Sequence, residues 1–188
     1  MYEKTLSRKT LHQGRILFFE ELTVELENGR TAHREIVHHG GATAILVRRA
    51  DGLFVLVRQF RKAVEQVLLE AVAGGLEPGE APEDCARREV REETGYLVTR
   101  IQSLGRIFLS PGYCDEALHL FYAETGNTPS DPDPDEDEKV EAVLLSADEL
   151  AAAMAPGGEI EDAKTLALWS RFRAVSGVGS QTGGGHVP

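Results

Sequence analysis

The stretch Gly74-Gly75-Leu76-Glu77-Pro78-Gly79-Glu80-Ala81-Pro82-Glu83-Asp84-Cys85-Ala86-Arg87-Arg88-Glu89-Val90-Arg91-Glu92-Glu93-Thr94-Gly95 joins a glycine-rich loop to a helix with three glutamates crowded on one turn. Pro82 suits the first helical turn, Glu83 and Asp84 complement its dipole, and Gly95 suits the left-handed position past its end. The spacing predicts a helix over about 82 to 94. At ~100° per residue, Glu89 and Glu93 stack at i,i+4 with Glu92 beside them, a like-charge cluster that weakens a helix unless something cationic joins it. Ala86 and Val90 form an apolar edge next to this pair, whereas Asp84, Arg87 and Arg91 point toward water, so the glutamates sit at the margin of the core. Arg88, four residues before Glu92, can neutralise that carboxylate and fix the helix against the preceding loop.

Hard divalent cations prefer oxygen ligands, and magnesium typically takes one or two carboxylates together with substrate phosphates. Glu89 and Glu93 suit that description. The glycine loop lets backbone approach a ligand closely, which makes the carbonyl of Ala73 a further candidate ligand. A solvated amphipathic helix after an ordinary turn would explain a single pair of glutamates. It does not explain Gly74, Glu80, Arg88, Glu89, Glu92, Glu93 and Gly95 together, a pattern whose chance probability on average composition is on the order of 10⁻⁵ or less.

Gly74, Glu80, Arg88-Glu89, the aliphatic Val90, Glu92-Glu93 and Gly95, in this spacing, resemble the signature of the Nudix hydrolases. Tyr96 departs from it, standing where the family usually has an aliphatic residue, a change that touches packing more than chemistry. The resemblance implies an α/β/α sandwich with a mixed central sheet, here preceded by a small N-terminal antiparallel sheet. It implies hydrolysis of a nucleoside diphosphate linked to another moiety, with magnesium or manganese held by Glu89, Glu93, Glu92 and the Ala73 carbonyl. Ser110-Pro111-Gly112-Tyr113, with Pro111 sixteen residues beyond Gly95, is similar to the ADP-ribose pyrophosphatase branch. A plain Pro-Gly turn closing the strand before it is the other reading of those residues. Gln59-Phe60-Arg61 looks like the Gln-x-Arg element of the branch, and Arg34-Glu35 precedes the first core strand as in those enzymes. On this likeness Arg61 and Arg34 clamp the diphosphate, Ser110, Pro111, Gly112 and Glu116 contact substrate, and Phe18 or Phe19 stacks on the base.

Working outward, 188 residues with 41% hydrophobic content suit one domain with a sizeable core. A formal net charge of −11 argues against a nucleic-acid polymer as partner, because a phosphate backbone is normally met by a basic face. An anionic small substrate must then be received by metal and a few local arginines. Neither an apolar stretch of ~20 residues nor a signal pattern is present at Met1-Tyr2-Glu3-Lys4, which reads as a cytoplasmic chain. Cys85 and Cys114 match no zinc or redox spacing and read as helix packing and a loop residue. None of the six histidines shows a spacing that demands metal, and His38 and His39 read as structural or surface residues.

Residues 4 to 12, 15 to 27 and 30 to 38 alternate well enough for three strands, with Asn28-Gly29 as a hairpin signal. Gly40-Gly41 then marks a boundary, dividing the chain into 1 to 38, a main domain over 39 to 175 and a flexible tail over 176 to 188. Core strands are expected at Ala42 to Val47, Leu53 to Gln59 and Val67 to Val72, with others near 98 to 109, 117 to 124 and 140 to 145. Ser146 and Glu149 form a capping box, and Asp162 caps a last helix. Three N-terminal strands cannot bury both their faces. Enzymes resembling this one exchange such segments across a homodimer, and the same is expected here.

Ser130 to Lys139 is a run of like charges broken by prolines, which on composition alone is a solvated loop. In similar enzymes a glutamate from this loop orients or deprotonates the attacking water. Glu136 is the candidate base, with Glu138 the alternative, and Glu92 next if neither serves. Three functions remain: ADP-ribose pyrophosphatase, a related enzyme for another nucleotide sugar or a damaged nucleotide, and a non-catalytic ADP-ribose sensor. Loss of box glutamates would favour the sensor, and all are present.

Overall fold

The computed structural model describes residues 1–130 and 139–177. Its N-terminal strands β1 (Lys4–Gln13), β2 (Leu17–Glu25) and β3 (Thr31–His39) form an antiparallel sheet of their own in the order β1-β2-β3. Gly29, at φ 77°, makes the turn between β2 and β3, donating to Leu26 O at 2.8 Å. Every residue of β1 is exposed, Leu6 by 45% and Leu11 by 42%, so this sheet carries uncovered apolar surface.

The chain then builds the central sheet from β4 (Ala42–Arg49), β5 (Phe54–Arg61), β6 (Gln66–Glu70) and β7 (Val72–Gly75), followed by the helix α1 (Pro82–Thr94). Next come β8 (Val98–Phe108), β9 (Ala117–Thr125), β10 (Val140–Leu145), and the helices α2 (Ala147–Ala153) and α3 (Ala163–Ser176). The strand order is β10-β5-β4-β9-β8, with β4 and β9 parallel and the other pairs antiparallel, so the sheet is mixed as expected.

Alternation assigns the two faces. Ile45 and Val47 of β4, Val55 and Val57 of β5, and Phe121 and Ala123 of β9 pack with Ala86, Val90 and Tyr96. Their neighbours Ala44, Leu46, Phe54, Leu56, Leu118, Leu120 and Tyr122 pack on the opposite face with Leu150 of α2 and Leu168 of α3. A sheet covered on both faces needs continuous apolar strands, which is why β4 and β5 read as unbroken hydrophobic runs. Val90 and Leu168 are fully buried, and truncating a side chain like Leu168 to alanine costs about 2 to 5 kcal/mol. Tyr96 keeps its ring in the core and accepts a bond from Arg49 at 3.1 Å through its hydroxyl, so the departure at this position is accommodated by a polar handle.

One expected element is corrected. Val67 to Val72 reads as a single strand, but the segment is two: β6 pairs with β5, and β7 pairs with β4. The strands β4 and β5 pair with each other only at Val47–Val55 and Arg48–Phe54 before they part, and the segment enters the gap by changing partners at Ala71. The Ala71 amide at the changeover is satisfied by Thr165 Oγ1 at 2.8 Å, a bond no local pattern announces.

Candidate active site

The change of partner places Ala73 opposite Ala44 and Gly74 opposite Thr43, directly beside α1. Ala81 and Pro82 start the helix without a side-chain cap, and Gly95, at φ 73°, ends it with its N–H on Arg91 O. The glutamates lie as the spacing predicts, with Glu89 9% and Glu93 5% exposed while Glu92 is half open. Gly74 is required by contact. A Cβ on it would meet the Glu89 carboxylate carbon at 1.9 Å, so only glycine leaves that carboxylate its seat against β7.

Arg88 organises the rest. It grips Glu80 through Nε and Nη2 at 2.9 and 3.0 Å, and donates from Nη1 to Glu89 at 2.6 Å and Glu92 at 2.9 Å. Its Nη2 also reaches the Gly75 carbonyl at 3.1 Å, tying loop to helix as the sequence suggests. The Glu80 bond, against the cost of burial, raises the Arg88 guanidinium further above its usual range, so it stays charged. Glu80 in turn is held down to about 2 by the same bond. Cys85 sits beneath the loop, its thiol 3.3 Å from Gly75 O, and burial pushes it up to about 11, as fits packing rather than reactivity.

Arg61 arrives at the end of β5 with its guanidinium bound by Glu70 through Nε at 2.8 Å and Nη2 at 2.6 Å. Burial pushes Glu70 up, but its bonds to Arg61 and Lys164 outweigh that and leave it below the ordinary carboxylate range. Glu93 adds to the pull that keeps Arg61 charged, after the larger effect of Glu70. Lys164 also bonds Asp162 at 3.0 Å, and Asp162 caps α3 through Thr165. Sequence reading missed Glu70 and Lys164. The only available signal was a carboxylate in an apolar run nine residues beyond Arg61, and its partner on α3 lies 94 residues away.

The other candidates engage partners of their own. Arg34 belongs to β3 and is engaged by Glu3 at 3.0 and 2.5 Å. Phe18 and Phe19 are consecutive on β2 and so face opposite sides; Phe18 stacks on His38 with ring centroids 4.2 Å apart. Ser110 accepts at its carbonyl from the amides of Tyr113 and Cys114, making the turn that presents Pro111 and Gly112 to solvent. Glu116 follows this turn, 3.6 Å from His39 Nδ1. Glu136 and Glu138 fall outside the described residues, as does most of the proposed tail. Among the described residues no three histidine, cysteine or acidic side chains converge as a metal site, and the buried oxygens at the box are the carboxylates of Glu89 and Glu93. No helix among them is long and apolar enough to cross a membrane.

Known proteins bear on this arrangement. The NUDIX domain matches residues 37–169. An ADP-ribose pyrophosphatase of Bacillus subtilis (strain 168) is 38% identical over 164 residues, 87% of this chain and 88% of its own length. A methanol dehydrogenase activator of Bacillus methanolicus is 38% identical over 165 residues, with 87% and 89% covered. A GDP-mannose pyrophosphatase of Yersinia enterocolitica is 39% identical over 153 residues, 76% of this chain and 79% of its own. A crystal structure titled as an ADP compounds hydrolase superposes with a TM-score of 0.80 over 93% of this chain and 94% of its own at 20% identity, a likeness of fold.

Proposed function

The chain belongs to the NUDIX family and is a pyrophosphohydrolase of it, and on that premise we propose that it hydrolyses ADP-ribose to AMP and ribose 5-phosphate with magnesium or manganese. One observation carries the reading: two buried carboxylates, Glu89 and Glu93, lie one helical turn apart where Gly74 gives up its side chain to seat the first of them. That all-oxygen set suits a hard divalent cation, for which one or two carboxylates suffice beside substrate phosphates. Glu89, Glu93, Glu92 and the Ala73 carbonyl are the residues assigned to hold it. When bound, the metal neutralises the diphosphate and activates a water.

The chain's own groups do the remaining work. Arg88 keeps Glu80, Glu89 and Glu92 from repelling one another and fixes their directions. Glu70 holds two edges of the Arg61 guanidinium, which leaves Nη1 as the donor we assign to a phosphate oxygen. Arg34 joins as the second clamp by exchanging its Glu3 partner for phosphate. Ser110 to Glu116 lines the sugar side, and a Phe18 or Phe19 ring stacks on the base. Glu136, or Glu138 two residues on, takes the proton from the attacking water. The protein acts as a cytoplasmic homodimer with exchanged N-terminal strands, a reading supported by the exposed Leu6, Leu11, Ile16 and Leu17.

The choice of ADP-ribose is supported by Pro111 at its spacing and by the Bacillus subtilis relative. GDP-mannose is the second reading, favoured by a relative 39% identical over 76% of this chain. The test is a panel of nucleoside diphosphate sugars assayed with magnesium and with a chelator, products being identified. ADP-ribose should have a higher kcat/KM than ADP-glucose or GDP-mannose, and chelation should abolish turnover. A hexose sugar ranked first, or activity untouched by the chelator, overturns the corresponding part.

A further inference from the structure

We propose that His38 is a positioning residue that locks the Ser110 to Glu116 loop onto the N-terminal sheet and thereby sets the affinity for substrate. This rests on the assignment of that loop to substrate contact made above. Three side chains from two elements converge on the imidazole. From the loop, Asp115 Oδ2 lies 2.5 Å from Nδ1. From β2, Glu20 Oε2 lies 3.2 Å from Nε2, and that oxygen also accepts from Arg8 of β1 at 3.2 Å. The Phe18 ring covers one face of the imidazole at 4.2 Å and 17°.

Ionised carboxylates only accept, so the His38 ring donates from both nitrogens when both bonds are made. Burial pushes the Asp115 carboxyl up, but the bond from His38 and a second from the His39 backbone N–H at 3.0 Å outweigh it and keep it below its ordinary range. An imidazole bonded on both sides by carboxylates joins surfaces which would otherwise repel. Glu20 and Asp115, with side chains 11% and 49% exposed, are those surfaces. Backbone bonds run alongside: Val37 N–H donates to Tyr113 O at 2.7 Å and Asp115 N–H to Val37 O at 3.2 Å. These dock the loop as a short parallel bridge, and His38 fixes the side that leads into Glu116. His39 cannot substitute, since its Nδ1 accepts from Gly41 N–H at 3.1 Å and so carries no proton for Glu116.

The experiment compares the full-length chain with His38→Gln, Asp115→Asn and the double variant. KM and kcat are read on whichever sugar nucleotide the panel ranks first, so failure of the ADP-ribose assignment leaves the test intact. Each single variant should raise KM about ten-fold with kcat within about two-fold, and the double should be no worse than either, because both remove one tie. Unfolding temperatures and the ¹⁵N signals of the His38 ring are read in parallel. The wild type should show a proton on Nδ1, and Asp115→Asn, at a half-exposed position, should shift the Nδ1 signal while the fold persists. Unchanged KM in the singles, effects that multiply in the double, or an unprotonated Nδ1 in the wild type would overturn the proposal.

Discussion

Replacing Gly74 by alanine separates what the box does for folding from what it does for chemistry. The added Cβ would lie 1.9 Å from Glu89 Cδ and Oε1 and 2.3 Å from Oε2, whereas ordinary contact begins near 3.4 Å, so the carboxylate must retreat by about 1.5 Å. Gly74 is not among the glycines with positive φ, and alanine can take its backbone conformation. The colliding atoms are the end of a flexible side chain, which can swing away at the loss of its 2.6 Å bond from Arg88. Hydrogen bonds to charged groups contribute about 1.5 to 3 kcal/mol, and partial exposure of Arg88 puts this one at the low end or below. The stiffer unfolded chain of the alanine variant offsets about 0.4 to 1 kcal/mol of that. Net stability should therefore fall by no more than about 1 kcal/mol, a Tm shift of roughly 2 to 4 °C for a chain of this size.

Catalysis is less forgiving, because a 1 Å misplacement of a working group can cost on the order of 10²-fold, about 2.7 kcal/mol in barrier. We expect Gly74→Ala to lower kcat/KM about 100-fold with Tm nearly unchanged, measured by product release at saturating magnesium and by thermal unfolding. Gly95→Ala is the contrasting control. Its Cβ would meet the Ser130 carbonyl oxygen at 2.1 Å from a residue at φ 73°, so backbone has to move and stability falls first. A Gly74→Ala enzyme within about two-fold of wild type in kcat/KM would refute the placement of Glu89 in the machinery.

Glu80 titrates at about 2 because Arg88 holds its charged form, so the brace contributes stability above the ordinary value near 4.5 and loses it as pH falls toward 2. The Tm gap between wild type and Glu80→Gln should be full at pH 6 and close over that acid range; a gap independent of pH counts against the brace. Glu136→Gln should lower kcat by about 10² to 10⁴ with little change in KM, while Asp131→Asn and Asp133→Asn change neither. Loss in Glu138→Gln alone moves the base two residues on, and no loss anywhere from 131 to 138 moves it to Glu92. Sedimentation at micromolar concentration should give a dimer, and deletion of residues 1 to 38 should remove both dimer and activity; a fully active monomer refutes the exchange.

The box was legible because everything it needs is local. Pro82 and Gly95 bound the helix, one period of 3.6 brings Glu89 and Glu93 together, and Arg88 reaches Glu92 four residues on and Glu80 eight residues back. The strand at Ala42 to Val47 was likewise legible from its apolar run, and the period of two then puts Ile45 and Val47 on one face and Ala44 and Leu46 on the other. Partner choice is not local. The division of residues 66 to 75 into β6 and β7 follows from the parting of β4 and β5, which no pattern within that segment encodes. Glu70 looks like the end of an apolar run until Arg61 and Lys164 close on it from separate elements, and a buried carboxylate is tolerated only because they do. His38 reads as one histidine of six until the fold brings Asp115, 77 residues away, to its Nδ1. Sequence periodicity carries which way a side chain faces, whereas what it meets there is decided by the closing of long loops, and charged groups draw their roles from what they meet.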